Sequence, residues 1–327
     1  MPCLRVLDLQ LPNSSFFRPY CSVSRNFKCS RNCHSIYEMP GHIGALKSME
    51  VLDFSGTELH NLHPEIGKLT HRKHLHLSFY GADDEREASY LPDGLFSTDI
   101  IAKLPDLQAL SIGVHPKDKR WSRDVGQILK DINRLQNLRH LQFYFPTVAL
   151  LEMFIDMSHS WKNNLLTRFK IIVGQNVKHV VDRVSRSEEH KYDKHDRCLR
   201  FVNGEEISNS VMNVLVENEG RSEPVMPALE HLGIHYLWRL ENICRKYSLP
   251  SGSFVEDCKT LKEIIEEREV IVEDHGSALC SLKELKLRHL TELVRLWNSS
   301  IPYVEKHDID GCPKLKDGKF EELSYQM

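Results

Sequence analysis

The sequence predicts an α/β solenoid, a stack of short coils that each give one strand to a parallel sheet. Three observations predict it: an apolar pattern recurring along the chain, its spacing, and the turn residues behind it. The pattern reads L-x-x-L-x-L. It stands as Leu4-x-x-Leu7-x-Leu9, Met49-x-x-Leu52-x-Phe54 (continued by Thr57 and Leu59), Leu107-x-x-Leu110-x-Ile112 and Leu138-x-x-Leu141-x-Phe143. It returns as Leu166-x-x-Phe169-x-Ile171, Leu229-x-x-Leu232-x-Ile234 and Leu282-x-x-Leu285-x-Leu287. Arg72-x-x-Leu75-x-Leu77 and Val304-x-x-His307-x-Ile309 are degenerate copies.

This is the signature of leucine-rich repeats. In the x-L-x-L strand, alternate residues point to opposite faces, so the leucines enter the core and their neighbours meet solvent. One strand cannot bury its apolar row alone, whereas stacked copies form a continuous core. The expected architecture is a leucine-rich-repeat solenoid with a curved parallel sheet on the concave side and helices and loops on the convex side. Leu52 to Leu75 is 23 residues and Leu285 to His307 is 22, each one repeat. Leu7 to Leu52 is 45 and Leu232 to Leu285 is 53, each room for two. In the second gap, Val255-Glu256-Asp257-Cys258 reads like the back half of a repeat, matching Ile309-Asp310-Gly311-Cys312. Longer steps, such as the 35 residues from Leu75 to Leu110, imply convex loops.

About ten to eleven irregular repeats then fill residues 1–327 as a single solenoid, with an irregular insertion at 14–38 and a less regular segment at 175–226. Helices are predicted between strands at Asp124–Leu135, Val148–Met157 and Ser208–Val216. A helical bundle is the alternative, but the apolar set stops after L-x-x-L-x-L at turn residues such as Ser55-Gly56, Gly113 and Gly311-Cys312-Pro313. Arg72 and His307 occupy core positions, where an unpaired polar group is costly, and predict locally weakened repeats.

Composition narrows the function. There are 43 Lys+Arg against 46 Asp+Glu, a formal charge of −3, which argues against a nucleic-acid binder. No run reaches the ~18–20 apolar residues of a membrane span, and Arg5 and Asp8 interrupt the start where a signal peptide needs an apolar core. The nine scattered cysteines then read as reduced thiols, and the expected location is cytoplasmic.

No catalytic constellation is evident: there is no G-x-S-x-G, H-E-x-x-H or G-x-x-x-x-G-K-[ST], so no enzyme, cofactor or metal site is assigned. Cys29-x-x-x-Cys33-His34 offers zinc ligands without a second pair, and a flexible insertion or damaged repeat is the plainer reading. His74 and His76 of His71-x-x-His74-x-His76 are either two surface positions or a shared cation site. His190, Asp193, His195, Asp196 and Cys198 read as a solvated polar loop. The run Glu263, Glu266, Glu267 and Glu269 reads as a soluble convex face.

The positive expectation is display. The register places Asp8, Asp53, His74, His76, His140, Gln142, Arg168 and Lys170 side by side on one sheet face, followed by His231, His235, Glu284, Lys286, Lys306 and Asp308. So varied an array suits a protein partner better than one small molecule.

The strings MPCLRVLDL, LHPEIGKLTHRKHLHL, VEDCKTLKEIIEE and VEKHDIDGCPKLK resemble the repeat region of plant coiled-coil, nucleotide-binding, leucine-rich-repeat disease-resistance proteins. The segments around Cys258 and Cys312, each closing a repeat before Leu261 or Leu315, are the most specific part. The resemblance implies an intracellular sensor of a pathogen effector or an effector-targeted host protein, which also restrains a nucleotide-binding module. The phosphate-binding loop of that module, and the coiled coil, are missing from this sequence. A scaffold or substrate-recruiting adaptor of a ubiquitin ligase is the alternative, and a truncated receptor product a third. With Leu4 already inside a repeat and no polar cap ahead of it, an aggregation-prone first coil is expected.

Overall fold

In the computed structural model, the structure describes residues 7–9, 26–29, 36–39, 41, 43–81, 85–97, 99–174, 196–202, 229–243, 252–264, 282–296 and 304–315. Its contacts divide the chain into two units, Met1–Ile171 and Ile172–Met327. Strands β1 (Leu7–Leu9), β2 (Asn26–Cys29), β3 (Val51–Asp53), β4 (His74–Ser78), β5 (Ala109–Gly113), β6 (His140–Phe145) and β7 (Arg168–Val173) belong to the first, β7 crossing its end. Strands β8 (Arg197–Val202), β9 (His231–His235), β10 (Gly252–Glu256), β11 (Glu284–Arg288) and β12 (Lys306–Asp310) belong to the second. Within each unit the strands pair parallel and in chain order. The fold is the α/β leucine-rich-repeat solenoid that the spacing predicts, with twelve strands among the described residues against ten to eleven coils expected.

Register shows why the pattern works. Leu7, Phe27, Leu52, Leu75, Leu110 and Leu141 are partners on successive strands of the first unit. In the second, the partners are Leu199, Leu232, Ser253, Leu285 and His307. Apart from His307, every one of these from Leu52 onward is buried. Behind the strands of the second unit a further apolar row repeats every third residue: Leu237, Leu240 and Ile243, then Cys258, Leu261 and Ile264, then Leu290, Leu293 and Leu296, all buried. Ile243 N donates to Ile264 O at 3.1 Å and Val294 N to Lys262 O at 2.9 Å, so the back of each coil is tied to the next as its strand is. Each such side chain, taken out of water, contributes about 1.5–3 kcal/mol.

Two irregular segments contain strands, and three expectations need correction. The irregular insertion at 14–38 contains β2, paired with β1 and β3, in keeping with the room for two repeats between Leu7 and Leu52. The less regular segment contains β8. Cys198 therefore does not sit in a solvated loop but in a strand with its thiol buried; His190, Asp193 and His195 lie outside the described residues. His307 holds a core register position on β12 yet is exposed, so no desolvation cost falls on it. The helix expected from Asp124 begins five residues earlier.

Between the strands of the first unit run α1 (Glu85–Ala88), α2 (Lys119–Asn133), α3 (Val148–Met157) and α4 (His159–Lys162). Helix α3 has the predicted bounds, while the helix predicted at Ser208–Val216 lies outside the described residues. The early start of α2 has a local cause: Asp118 caps it, its Oδ1 accepting from Arg120 N at 2.9 Å. The Arg120 guanidinium bonds the same carboxylate and also donates to His60 O at 2.7 Å and Tyr80 O at 2.9 Å. One buried ion pair thus fastens the helix to two earlier coils.

Apolar contacts then lock the helices to the strands. A chain of rings runs from Phe79 through Phe96, Trp121, Phe143, Phe145, Phe154 and Trp161 to Phe169, with centroids 4.8–6.4 Å apart. Trp121 is fully buried in the middle, and its Nε1 donates to Tyr144 O at 3.2 Å. Replacing Trp121 with Ala should cost about 3–5 kcal/mol, read as a lower urea midpoint.

Arg72 confirms its expected awkwardness. It is 1% exposed, Nη2 donates to Leu46 O at 3.0 Å, and Nε and Nη1 have no hydrogen-bond partner among the described residues. Burial pulls its pKa down to about 10, opposed by nearby Glu50. Arg72→Leu, which restores the pattern, should raise stability by about 1 kcal/mol. A lower unfolding midpoint for that variant would show that the guanidinium is a net stabiliser.

Candidate recognition surface

The alternation that sends leucines inward sends one residue before and one between them to the opposite sheet face. In the first unit, the outward partners before the leucine are Val51, His74, Ala109 and His140, and those between are Asp53, His76, Ser111 and Gln142. Asp8 pairs in register with Lys28 and Asp53 at the start of the same column. Gln142 and Arg168 are exposed; Asp53, His74, His76, His140 and Lys170 are half-buried. The structure thus sets these residues on neighbouring strands, as expected.

Local contacts fix several of them. Asp53 Oδ1 accepts from Ser55 N at 2.9 Å, which closes the turn after β3. The His74 and His76 rings stack 6.5 Å apart, while His71 sits apart with Nδ1 3.2 Å from Asp106 Oδ2. Lys73 Nζ reaches Glu50 Oε2 at 3.0 Å. Burial lowers the His74 pKa, aided by Lys73 and opposed by Glu50. Burial also lowers that of His60, which lies between Tyr37 and Tyr80 at ring distances of 5.3 and 6.0 Å.

The second unit departs from simple alternation. Here the outward column is Arg200, Gly233, Phe254, Lys286 and Asp308, flanked by Cys198, His231, Gly252, Glu284 and Lys306. On β8 to β10, Cys198, Gly233, Gly252 and Phe254 are buried despite facing outward. His235, expected on display, is only 7% exposed. Its Nδ1 lies 3.3 Å from Glu256 Oε2, and its ring meets Phe254 edge-on at 4.8 Å. The Arg288 guanidinium covers another side of Phe254 at 5.8 Å and donates to Asp308 Oδ2 at 2.9 Å. Lys286 Nζ is 2.6 Å from Glu284 Oε1. Lys306 is exposed, while Glu284, Lys286, Asp308 and His231 are half-buried. The accessible part of this unit's face is therefore mainly β11 and β12, with Arg200 on β8 and His231 on β9 also half-buried.

Sequence reasoning missed Arg200, Phe254, Glu256 and Arg288. The first two sit on strands that lack the leucine pattern, but Glu256 and Arg288 share the register column of His235 and were legible from it.

Three other features bear on chemistry. The cysteines described with their side chains, Cys198, Cys258 and Cys312, are free thiols. Burial pushes the Cys258 thiol up to about 12 and raises that of Cys312, so neither is a ready nucleophile. Glu263 of the acidic run pairs with Arg295, and Glu266, Glu267 and Glu269 lie outside the described residues, as do Cys33 and His34. A cavity of about 180 Å³ between α2 and the segment 96–101 is lined by Phe96, Ile100 and Ile128, with Asp124 and Asp131 at its polar side. Burial raises the pKa of Asp131. No helix among the described residues is long and apolar enough to cross a membrane.

The two depressed imidazoles make stability pH-dependent. Between their folded values and about 6.5, the unfolded chain binds protons that the folded chain does not. Their contribution is therefore present above pH 6.5 and is lost as the pH falls below it. Thermal melts from pH 7.5 to 5.5 should show a falling midpoint for the wild type and a shallower fall for His74→Gln.

No protein-family model matches the chain, and no curated protein is similar in sequence. Among solved structures, a leucine-rich-repeat protein of Leptospira interrogans matches with 15% identity and a TM-score of 0.32, over 90% of this chain and 75% of that one. The plant peptide hormone receptor RGFR1 in complex with RGF2 matches with 11% identity and a TM-score of 0.31, over 84% of this chain and 51% of that one.

Proposed function

We propose that this chain is a non-enzymatic recognition module whose outward sheet face binds a protein partner. The carrying observation is the set of side chains on β3 to β7, in which imidazole, carboxylate, amide, hydroxyl and guanidinium groups succeed one another over a continuous apolar backing. Side chains on successive parallel strands stand about 4.8 Å apart, a spacing that suits contact with many groups of a macromolecule at once. The open positions on β11 and β12 offer a second, more charged patch, Glu284, Lys286, Lys306 and Asp308.

The resemblance of the sequence to plant coiled-coil, nucleotide-binding, leucine-rich-repeat receptors supports a finer reading. On it, the chain is the sensor region of an intracellular immune receptor in the cytoplasm. Its partners are a pathogen effector, an effector-targeted host protein, or the nucleotide-binding module that it restrains. The strings around Cys258 and Cys312 support that reading; the Cys258 side chain is buried behind β10 and that of Cys312 is half-buried behind β12.

The test introduces Glu at His74 and Gln142 on the first unit and at Lys286 on the second. Each changes an outward side chain and leaves the core rows intact, so folding should be within about 0.5 kcal/mol of wild type. Co-precipitation of a co-expressed plant nucleotide-binding module with the triple variant should fall at least about tenfold, with an unchanged circular dichroism spectrum. Undiminished co-precipitation would remove the sheet face from the interface.

A further inference from the structure

The corners where the strands of the second unit end repeat an unusual conformation. Tyr236, Asp257, His289 and Gly311 follow β9, β10, β11 and β12, and all four have positive φ, at 59°, 52°, 53° and 65°. The backbone ladder continues through them: Tyr236 N donates to Glu256 O at 3.0 Å, Asp257 N to Arg288 O at 3.1 Å and His289 N to Asp310 O at 2.9 Å. Side chains of consecutive corners are thereby set next to one another along one edge of the sheet. Only the last is glycine, the residue that takes this conformation without cost. Gly311 also makes room for its neighbour, since a Cβ there would lie 2.8 Å from His289 Cδ2.

Glu256 closes β10 immediately before the corner. Ligand atoms of Glu256, Asp257 and His289 all lie within 4.8 Å of one another. His289 Nδ1 is 3.7 Å from Asp257 Oδ1, too far for a hydrogen bond. Two donors on a tetrahedral ion with bonds of about 2.1 Å stand roughly 3.4 Å apart, so a small inward movement suffices. The surroundings orient the ligands. His235 Nδ1 holds Glu256 Oε2 at 3.3 Å, and Tyr236 bonds the Asp257 carboxylate. The Arg288 guanidinium, whose charge also acts on Glu256, is bonded to Asp308 Oδ2 at 2.9 Å. Such outer partners fix the direction and charge state of metal ligands.

The geometry points to a divalent transition-metal site, of the zinc class, formed by Glu256, Asp257 and His289. One imidazole nitrogen and two carboxylate oxygens suit such an ion better than an all-oxygen site for calcium or magnesium would. Three protein ligands leave a coordination position for water. The ion would join the corner after β10 to the corner after β11, where the bond from Asp257 N to Arg288 O already connects the two strands. The site stands independently of the recognition reading.

The full chain, stripped with chelator, is titrated with Zn²⁺ by calorimetry and with Co²⁺ by visible absorption. One tight equivalent is expected, with Co²⁺ bands of a nitrogen–oxygen site and no thiolate charge-transfer band, which separates it from any site using the nine cysteines. His289→Ala and Asp257→Asn should each weaken that equivalent by about tenfold or more. Asn tolerates the positive-φ corner, so the second variant keeps the fold and controls for the first. Unchanged affinity in both variants, or a spectrum showing thiolate ligation alone, would overturn the assignment.

Discussion

Parallel register is the constraint on which everything else rests. A single coil of this chain has one short strand and an apolar row that nothing within the coil can cover. When the next strand pairs in register, leucine falls over leucine, and the backbone groups of one strand are satisfied by its neighbour. The core row, the outward columns and the stacked corners are three readings of that one alignment. Stability is therefore a sum of neighbour interfaces, not a property of any repeat alone. It also explains how weak repeats survive. Ser253 is 2% exposed with Leu232 and Leu285 as its register partners, held there by the coils on either side.

Where the apolar spacing is regular, the strands were legible from the sequence, because three apolar positions within six residues recur at the interval of one coil. The strands missed or half-seen are those whose signature residues have changed: Ser24 ahead of Phe27, Asp196 ahead of Leu199, Ser253 in place of leucine. There the ladder of backbone hydrogen bonds, which is blind to side chains, holds the coil in place. The outward positions were equally legible, since alternation assigns them. Their accessibility was not. Whether His235 is on display depends on Phe254 one strand away, in a repeat whose pattern is eroded, and on Arg288 two strands away. Contacts across strands are written in the register, and only its regular parts can be read without coordinates.

The near balance of charge in the sequence turns out to be local. Lys73 pairs with Glu50, Arg197 with Glu230, Lys286 with Glu284 and Arg288 with Asp308, in most cases from one strand or coil to the next. Partly exposed pairs of this kind contribute about 0–1 kcal/mol each, so they add little to folding. Their effect is on the surface potential, which changes sign over single strand spacings instead of forming one broad field. Arg120 is different. Buried with Asp118 and bonded to two carbonyls, it is a structural cross-brace.

Phe254 sets a limit on how freely this surface can drift. Most outward side chains stand over an unchanging apolar layer, so exchanging one alters a single contact and leaves its neighbours where they were. Phe254 is the largest side chain on that face of β8 to β10 to point outward and yet be buried, 8% exposed and wedged between an imidazole and a guanidinium. Change it, and both of those groups lose the wall they lean on, along with the carboxylates they hold. Variation in a lineage of such chains would therefore accumulate rung by rung on β3 to β7, while around the ring on β10 it would have to come in linked sets.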